Sequence, residues 1–371
     1  GFEEGGVSRI YIHPGYEKLM NYWAYVELPS PDVEDALLID LDNDGNLDLV
    51  TASEGMTNQI VFHWAPDKPS QYLDASLWQS DVVPAMDDRS AWMFVVPADM
   101  DGKNGMDLIV GSKRKRGDSG DDQAIIGWLR CSANPRKVSE WEFFPISSAG
   151  WIMSIDLVDM DDDGFTDILI SDRKFSSQTG VRWLKNPGPD SPDLYQNWMS
   201  VMVGVQDGEP MFHTRADLDA DGQEEIIVPD LYTGLTILKK NPTQLRDWEK
   251  IVIPYPDWAG GRGKAVHCAD IDGDGNPEVV LSFEEEGNVA SIPFSDYKKK
   301  GKYSVIGAKL NTPGNLRGEW AFFKISGFQG RKFDLVNLID LDGDGDLDVL
   351  TNDENEEGDG LGVVWYENPL N

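Results

Sequence analysis

Asp340, Asp342, Asp344 and Asp348 stand at the first, third, fifth and ninth positions of Asp340-Leu-Asp-Gly-Asp-Gly-Asp-Leu-Asp348, with glycine at the sixth. Side chains at that spacing converge when the loop turns tightly, and the seventh residue can add its backbone carbonyl. Hard oxygen donors in this number suit Ca²⁺; Zn²⁺ prefers His and Cys, and Mg²⁺ holds on to its waters. The pattern recurs as Asp40, Asp42, Asp44, Asp48 and as Asp159, Asp161, Asp163, Asp167. In Asp217, Asp219, Asp221, Glu225 and in Asp270, Asp272, Asp274, Glu278 a longer carboxylate closes the set. The loop of Asp99, Asp101 and Asp107 puts Lys103 at the fifth position, where an ammonium can take the place of the ion, so this loop is expected to be empty or weakly occupied. A loop repeated in every structural unit reads as stapling rather than as a Lewis acid or a regulatory switch.

The elements that position these loops follow from their period. The six loops begin at residues 40, 99, 159, 217, 270 and 340, about sixty residues apart, with the last interval widened by the segment around Lys298-Lys299-Lys300. An apolar run enters each loop and a β-branched run leaves it, as in Trp151–Val158 and Asp167–Ile170. A third run ends in an Asn-Pro stop, as in Gly180–Pro187, and a fourth starts at a tryptophan: Trp141, Trp198, Trp248 and Trp320. Helical periodicity is absent almost everywhere. Four short strands per period, repeated radially, predict an all-β fold, a six-bladed β-propeller of four-stranded antiparallel blades in a single domain over 1–371. Blades are expected to begin near 32, 90, 150, 208, 261 and 331, after an N-terminal segment over 1–31. The chain stops after a third strand, Gly362–Pro369, and an orphan strand, Tyr22–Leu28, precedes the first loop, so the N-terminal strand is expected to close the C-terminal blade. Seven blades are the alternative, but they need several more strands.

The loops and this strand grammar resemble the FG-GAP/VCBS repeat propellers, the group that includes the integrin α-subunit head and fungal lectin propellers, over essentially the whole chain. The Phe-Gly and Gly-Ala-Pro flanks are not evident; the strands carry the Trp-x-x-Asn-Pro pattern of the bacterial VCBS-type branch. The resemblance implies calcium at the matching loops. It also implies a carbohydrate ligand, since such groups include lectins, polysaccharide lyases, glycosidases and dehydratases acting on sugars.

If the Asp loops join first to second strands, the opposite rim is built by the turns after the second strand and by the links between blades. The turns carry Glu54, Lys113-Arg114, Asp172-Arg173-Lys174, Asp230 with Tyr232, Glu284, and Asp353-Glu354; the links add Arg89, Trp92, Trp151, Arg262 and Lys264. Carboxylates, cations and indoles converging on an axial mouth suit a sugar, and the cations suit a uronate or sulfate. His267, three residues before its Asp loop, and Glu54, Asp172 and Glu284 are the candidates for acid–base work in a lyase or glycoside hydrolase. Whether the chain is an enzyme is left open. His63, on a third strand, reads as structural.

A formal charge of −34 argues against nucleic acid or an anionic membrane as partner and favours a cation. Cys131 and Cys268 match no paired spacing and read as free thiols. No apolar stretch is long enough to span a bilayer, and no signal peptide opens the chain. Millimolar calcium outside the cytoplasm fills loops of this kind, so the expectation is a monomeric extracellular or periplasmic protein in its mature form that binds or processes a carbohydrate. A non-catalytic protein-interaction scaffold is the alternative.

Overall fold

The computed structural model describes residues 5–241, 243, 247–284, 302–354 and 360–370. The Lys298–Lys300 segment lies outside them. Two compact units, Gly1–Met202 and Val203–Asn371, divide the chain.

In the first unit β1 (Val7–Tyr11) and β2 (Tyr25–Pro29) form a hairpin. Three four-stranded antiparallel sheets follow. These are β3 (Val33–Ile39), β4 (Asp48–Ser53), β5 (Ile60–Trp64) and β6 (Gln79–Val82); then β7 (Ala91–Ala98), β8 (Asp107–Lys113), β9 (Ala124–Arg130) and β10 (Glu142–Ala149); then β11 (Ile152–Val158), β12 (Asp167–Asp172), β13 (Gly180–Lys185) and β14 (Met199–Gly204). The second unit repeats the plan with β15 (Thr214–Ala216), β16 (Glu225–Asp230), β17 (Gly234–Lys240) and β18 (Trp248–Ile253), and with β19 (Arg262–Ala269), β20 (Glu278–Glu284), β21 (Val305–Leu310) and β22 (Trp320–Lys324). Its last sheet holds β23 (Phe333–Ile339), β24 (Asp348–Asp353) and β25 (Gly362–Tyr366). This is the all-β, six-bladed propeller class, with no α-helix among the described residues. The first strands begin at Val33, Ala91, Ile152, Thr214, Arg262 and Phe333.

Burial explains the strand grammar. The second strands β4, β12 and β16 are buried at every position, as runs such as Asp-Ile-Leu-Ile-Ser-Asp require, whereas β18 on a sheet edge alternates. Sheets pack face to face through their apolar sides: Phe62 meets Trp141 edge-on at 5.0 Å in the first unit, and Ile237, Leu281, Phe283 and Ile306 are buried in one cluster in the second. The first strand of five sheets carries a register shift near its start, between Val33 and Asp35, Trp92 and Phe94, Ile152 and Ser154, Gly263 and Val266, and Phe333 and Val336. Such bulges bend the strand and re-aim the side chains beside them.

The expected closing strand behaves differently. Tyr25–Pro29 pairs with Val7–Tyr11, from Val7↔Pro29 to Tyr11↔Tyr25, while the last sheet has three strands among the described residues. The reason is local. Arg9 and Glu27 pair across the hairpin at 2.9 Å and Tyr11 meets Tyr25 at 5.3 Å, while Val26 and Leu28 bury against Leu49, Ala65 and Trp78. Val7-Ser-Arg-Ile-Tyr11 is a strand that the sequence reading overlooked.

Candidate functional site

Each Asp loop joins a first strand to a second. The first aspartate shapes the turn by accepting the N–H groups of the fifth and sixth residues: Asp40 takes Asp44 and Gly45 at 3.0 Å each, and Asp159 takes Asp163 at 3.1 Å and Gly164 at 2.8 Å. Asp217 and Asp270 do the same. Glycine is needed at the sixth position because the backbone is left-handed there, with φ of 91° at Gly45 and 92° at Gly275. The Asp99 loop differs in that Asn104 occupies the sixth position at φ 63°, and Lys103 Nζ lies 3.7 Å from Asp101 Oδ2.

The ninth carboxylate ties the loop to the sheet. Asp48 accepts the N–H of Leu41 at 3.1 Å and of Ala65, beyond the third strand, at 2.7 Å. Asp107, Asp167 and Asp348 make the same pair of bonds. Burial pushes Asp48, Asp107 and Asp167 up to about 6 despite these donors.

The donor set fits a hard cation. Ligand oxygens of Asp40, Asp42, Asp48, of Asp99, Asp101, Asp107, of Asp159, Asp161, Asp167, of Asp217, Asp219, Glu225 and of Asp270, Asp272, Glu278 lie within 4.8 Å of one another in each group. Asp161 Oδ1 and Asp219 Oδ1 are buried and accept no hydrogen bond, while the buried Asp101 Oδ2 and Glu278 Oε1 face Lys103 at 3.7 Å and Lys309 at 3.4 Å. Buried carboxylate oxygens without donors are costly unless a cation meets them.

Cations from the chain itself reach several loops. Lys185 Nζ pairs with Asp161 and lies 2.7 Å from Asp163; Lys239 Nζ lies 2.5 Å from Asp219, 2.6 Å from Asp221 and 3.2 Å from Glu225; Lys309 Nζ pairs with Asp272 and lies 2.7 Å from Asp274. Arg136 pairs with Asp42 and sits 3.4 Å from Asp44. Lys309 holds Asp274 down to about 2, and Lys185 and Lys239 lower Asp163 and Asp221. The sequence reading missed these residues. For Lys185 alone a signal was present, as the residue directly before the Asn-Pro stop in Trp-Leu-Lys185-Asn-Pro.

At the other end of the first unit's strands, Trp151 gathers charge. Lys113 Nζ, Arg173 Cζ and Lys174 Nζ lie 4.7, 4.9 and 5.1 Å from its ring centre, and Arg114 lies 3.3 Å from that of Phe175. Lys113 also pairs with Glu54 and approaches Glu34 at 3.6 Å. Arg89 is exposed over Phe143 at 5.1 Å. Two expected site residues are instead part of the interior. Trp92 is fully buried and donates to Met86 O at 2.9 Å. Asp172 is fully buried, accepting the N–H groups of Gly150 and Trp151 at 3.1 and 2.9 Å and facing Arg182 Nη2 at 3.3 Å. His63 is buried between Thr51 and Ser80, and burial lowers it to about 4.

The second unit carries a chain of alternating charge at the corresponding strand ends. Arg262 lies 3.0 Å from Glu284, Glu284 3.6 Å from Lys264, Lys264 2.6 Å from Asp334, Asp334 3.7 Å from Lys332, and Lys332 2.6 Å from Glu354. Asp334 and Lys332 are further residues not anticipated. Tyr232 is half exposed, with Arg262 Cζ 5.8 Å from its ring centre. Asp353 is buried and accepts the N–H groups of Arg331, Lys332 and Leu361, so it fixes the turn. His267 stands opposite Val280 in β19–β20, where burial favours its neutral form.

Burial and the neighbouring Asp334 carboxyl raise Glu354 to about 7, while Lys264 and Lys332 outweigh burial and keep Asp334 low. Between about 4.5 and about 7 the folded protein therefore holds a proton at Glu354 that the unfolded chain has lost, and this group's contribution to stability falls as pH rises through that window. Glu354→Gln is expected to flatten the fall in melting temperature between pH 5 and pH 7 relative to the parent. An identical slope in both proteins would refute the assignment.

Repeated four-stranded sheets with an acidic nine-residue loop between first and second strands define a β-propeller whose blades each carry an Asp loop. Residues 217–281 match the FG-GAP-like repeat. That match covers one stretch of the chain, from the Asp217 loop into the strand that follows the Asp270 loop. Among solved structures the chain is similar to the Dos1 propeller at 9% identity and a TM-score of 0.50, covering 98% of this chain and 77% of that one. It is also similar to a candidate exo-beta-1,3-galactanase from Bifidobacterium bifidum s17 (12% identity, TM-score 0.39, 82% and 95% covered). A third similarity is to the V. cholerae biofilm matrix protein Bap1 (15% identity, TM-score 0.38, 82% and 40% covered). A search of curated proteins gave no match. No described helix is long and apolar enough to cross a membrane.

Proposed function

We propose that this protein is an exported propeller, stapled by calcium at its Asp loops, that binds an acidic carbohydrate at the Trp151 cluster. The observation that carries the reading is the gathering of Lys113, Arg173 and Lys174 within about 5 Å of one indole on a chain of net charge −34. Cations concentrated at an aromatic surface against that background suit a ligand with an apolar ring face and an anionic substituent, which describes a uronate or a sulfated sugar. Binding is the activity supported. The carboxylates nearest the cluster are already ion-paired, Glu54 to the cluster's own Lys113 and Asp172 to Arg182. The Asp loops supply architecture, and calcium bound there would neutralise carboxylates that the fold brings together.

The test is calorimetric titration with oligogalacturonate, oligomannuronate and a neutral β-glucan oligosaccharide. Binding of an acidic oligosaccharide but not the neutral one is expected, weakened about tenfold or more in Trp151→Ala and in Arg173→Gln. Equal binding of neutral and acidic sugars would remove the acidic specificity. No sugar binding, together with specific capture of a protein, would favour an interaction scaffold.

A further inference from the structure

The six loops are not electrostatically equivalent, and the difference lies at one register position. In each sheet the third strand places a residue opposite the ninth loop carboxylate, one step beyond the last paired residues. The pairs Ile168↔Leu184, Ile226↔Leu238 and Val279↔Ala308 put Lys185, Lys239 and Lys309 there. All three ammonium groups contact the third- and fifth-position carboxylates of their own loop. In the first sheet the position is Trp64, and Arg136 lies over its ring at 5.1 Å to reach Asp42 and Asp44. In the last sheet the pair Val349↔Tyr366 puts Glu367 at the same position.

The lysines also divide the oxygens. Lys185 contacts Asp161 Oδ2 while Asp161 Oδ1 is buried without a hydrogen bond, and Lys239 treats Asp219 in the same way. One oxygen faces the resident ammonium and the other remains turned inward. A loop built this way is partly neutralised before any ion arrives. Its four carboxylates and one lysine carry a formal charge of −3, whereas Asp340, Asp342, Asp344, Asp348 and Glu367 carry −5. Ligand charge is one of the properties that set the affinity of an oxygen site for calcium.

We infer that Lys185, Lys239, Lys309 and Arg136 are built-in counter-ions that weaken calcium binding at their loops, and that the Asp340–Asp348 loop beside Glu367 is the high-affinity calcium site of the chain. The inference rests on the calcium reading given above. Two classes of site follow, separated by roughly tenfold or more in Kd, since a unit charge a few ångströms from a divalent ion changes affinity by at least about that factor even with water-like screening.

Calcium titration of the demetallated full chain by isothermal calorimetry tests this, with the fold of each variant checked by circular dichroism. The expected result is one tight site and several weaker ones. Glu367→Lys is expected to move the tight site into the weak class. Lys239→Gln, at a half-exposed position that a glutamine fills without burying charge, is expected to add a second tight site. A single affinity class in the parent, or a tight site that survives Glu367→Lys while Lys239→Gln gains nothing, would overturn the inference and leave calcium stapling intact. No calcium binding at all would overturn both.

Discussion

Chelation with EDTA is expected to lower the melting temperature of the calcium-loaded protein by at least about 10 °C. A site held at a hundred times its Kd contributes about 2.7 kcal/mol to folding, and each kcal/mol corresponds to roughly 1.3 °C in a chain of this length. About three such sites give the stated shift, and five loops present a converging carboxylate set. The resident lysines set the other limit. They hold Asp161, Asp163, Asp219, Asp221, Asp272 and Asp274 when no ion is present, so the chelated protein is expected to remain folded at room temperature. Differential scanning calorimetry with and without chelator measures both points, and a melting temperature unmoved by EDTA would exclude a stabilising role for calcium.

Asp172→Ala is expected to cost about 3–5 kcal/mol, the typical penalty for removing one partner of a buried ion pair. Asp172 and Arg182 are both fully buried, and the guanidinium has neutral acceptors besides the carboxylate: Ser147 Oγ at 3.1 Å, Ser200 Oγ at 3.3 Å and Ser148 O at 2.8 Å. Removing the carboxylate leaves a buried charge that those acceptors cannot neutralise, and it also releases the N–H groups of Gly150 and Trp151. Adding Arg182→Met should restore part of the loss, because the unpaired charge goes with it. Urea unfolding reads the effect, and a loss below about 1 kcal/mol for the single variant would show that the pair is dispensable. The same substitution should weaken binding at the Trp151 cluster without removing a ligand contact.

Much of the fold is legible in the sequence because it depends on period and pattern. The spacing of the Asp loops counts the sheets, runs such as Asp167–Asp172 mark buried central strands, and Trp141, Trp198, Trp248 and Trp320 stand at or just before the fourth strands. The hairpin partner Val7–Tyr11 is five residues long and has no Asp loop to announce it, so the sequence alone points the orphan run Tyr22–Leu28 to the last sheet, whereas its strand Tyr25–Pro29 pairs in the hairpin. The candidate site is harder to read because one residue type serves two purposes. Trp92 fills the interior while Trp151 gathers cations, a difference made by packing rather than by spacing. Asp172 and Asp353 pin backbone N–H groups, although as residue types they match carboxylates that would meet a ligand. Lys185, Lys239 and Lys309 escaped notice because strand alternation tells which face a side chain leaves from, and not that its ammonium reaches over the neighbouring loop.

The ninth-position aspartate separates two jobs that most metal loops combine. Asp107 holds Met100 and Cys131 in the loop where Lys103 has displaced the metal pattern, just as Asp48 and Asp167 hold their partners in loops with full donor sets. A repeat of this design can drift at its third and fifth positions, gaining or losing an ion, without losing its shape. In the four loops closed by Asp48, Asp107, Asp167 and Asp348 the third and fifth positions can therefore change while the tie to the sheet beneath stays in place.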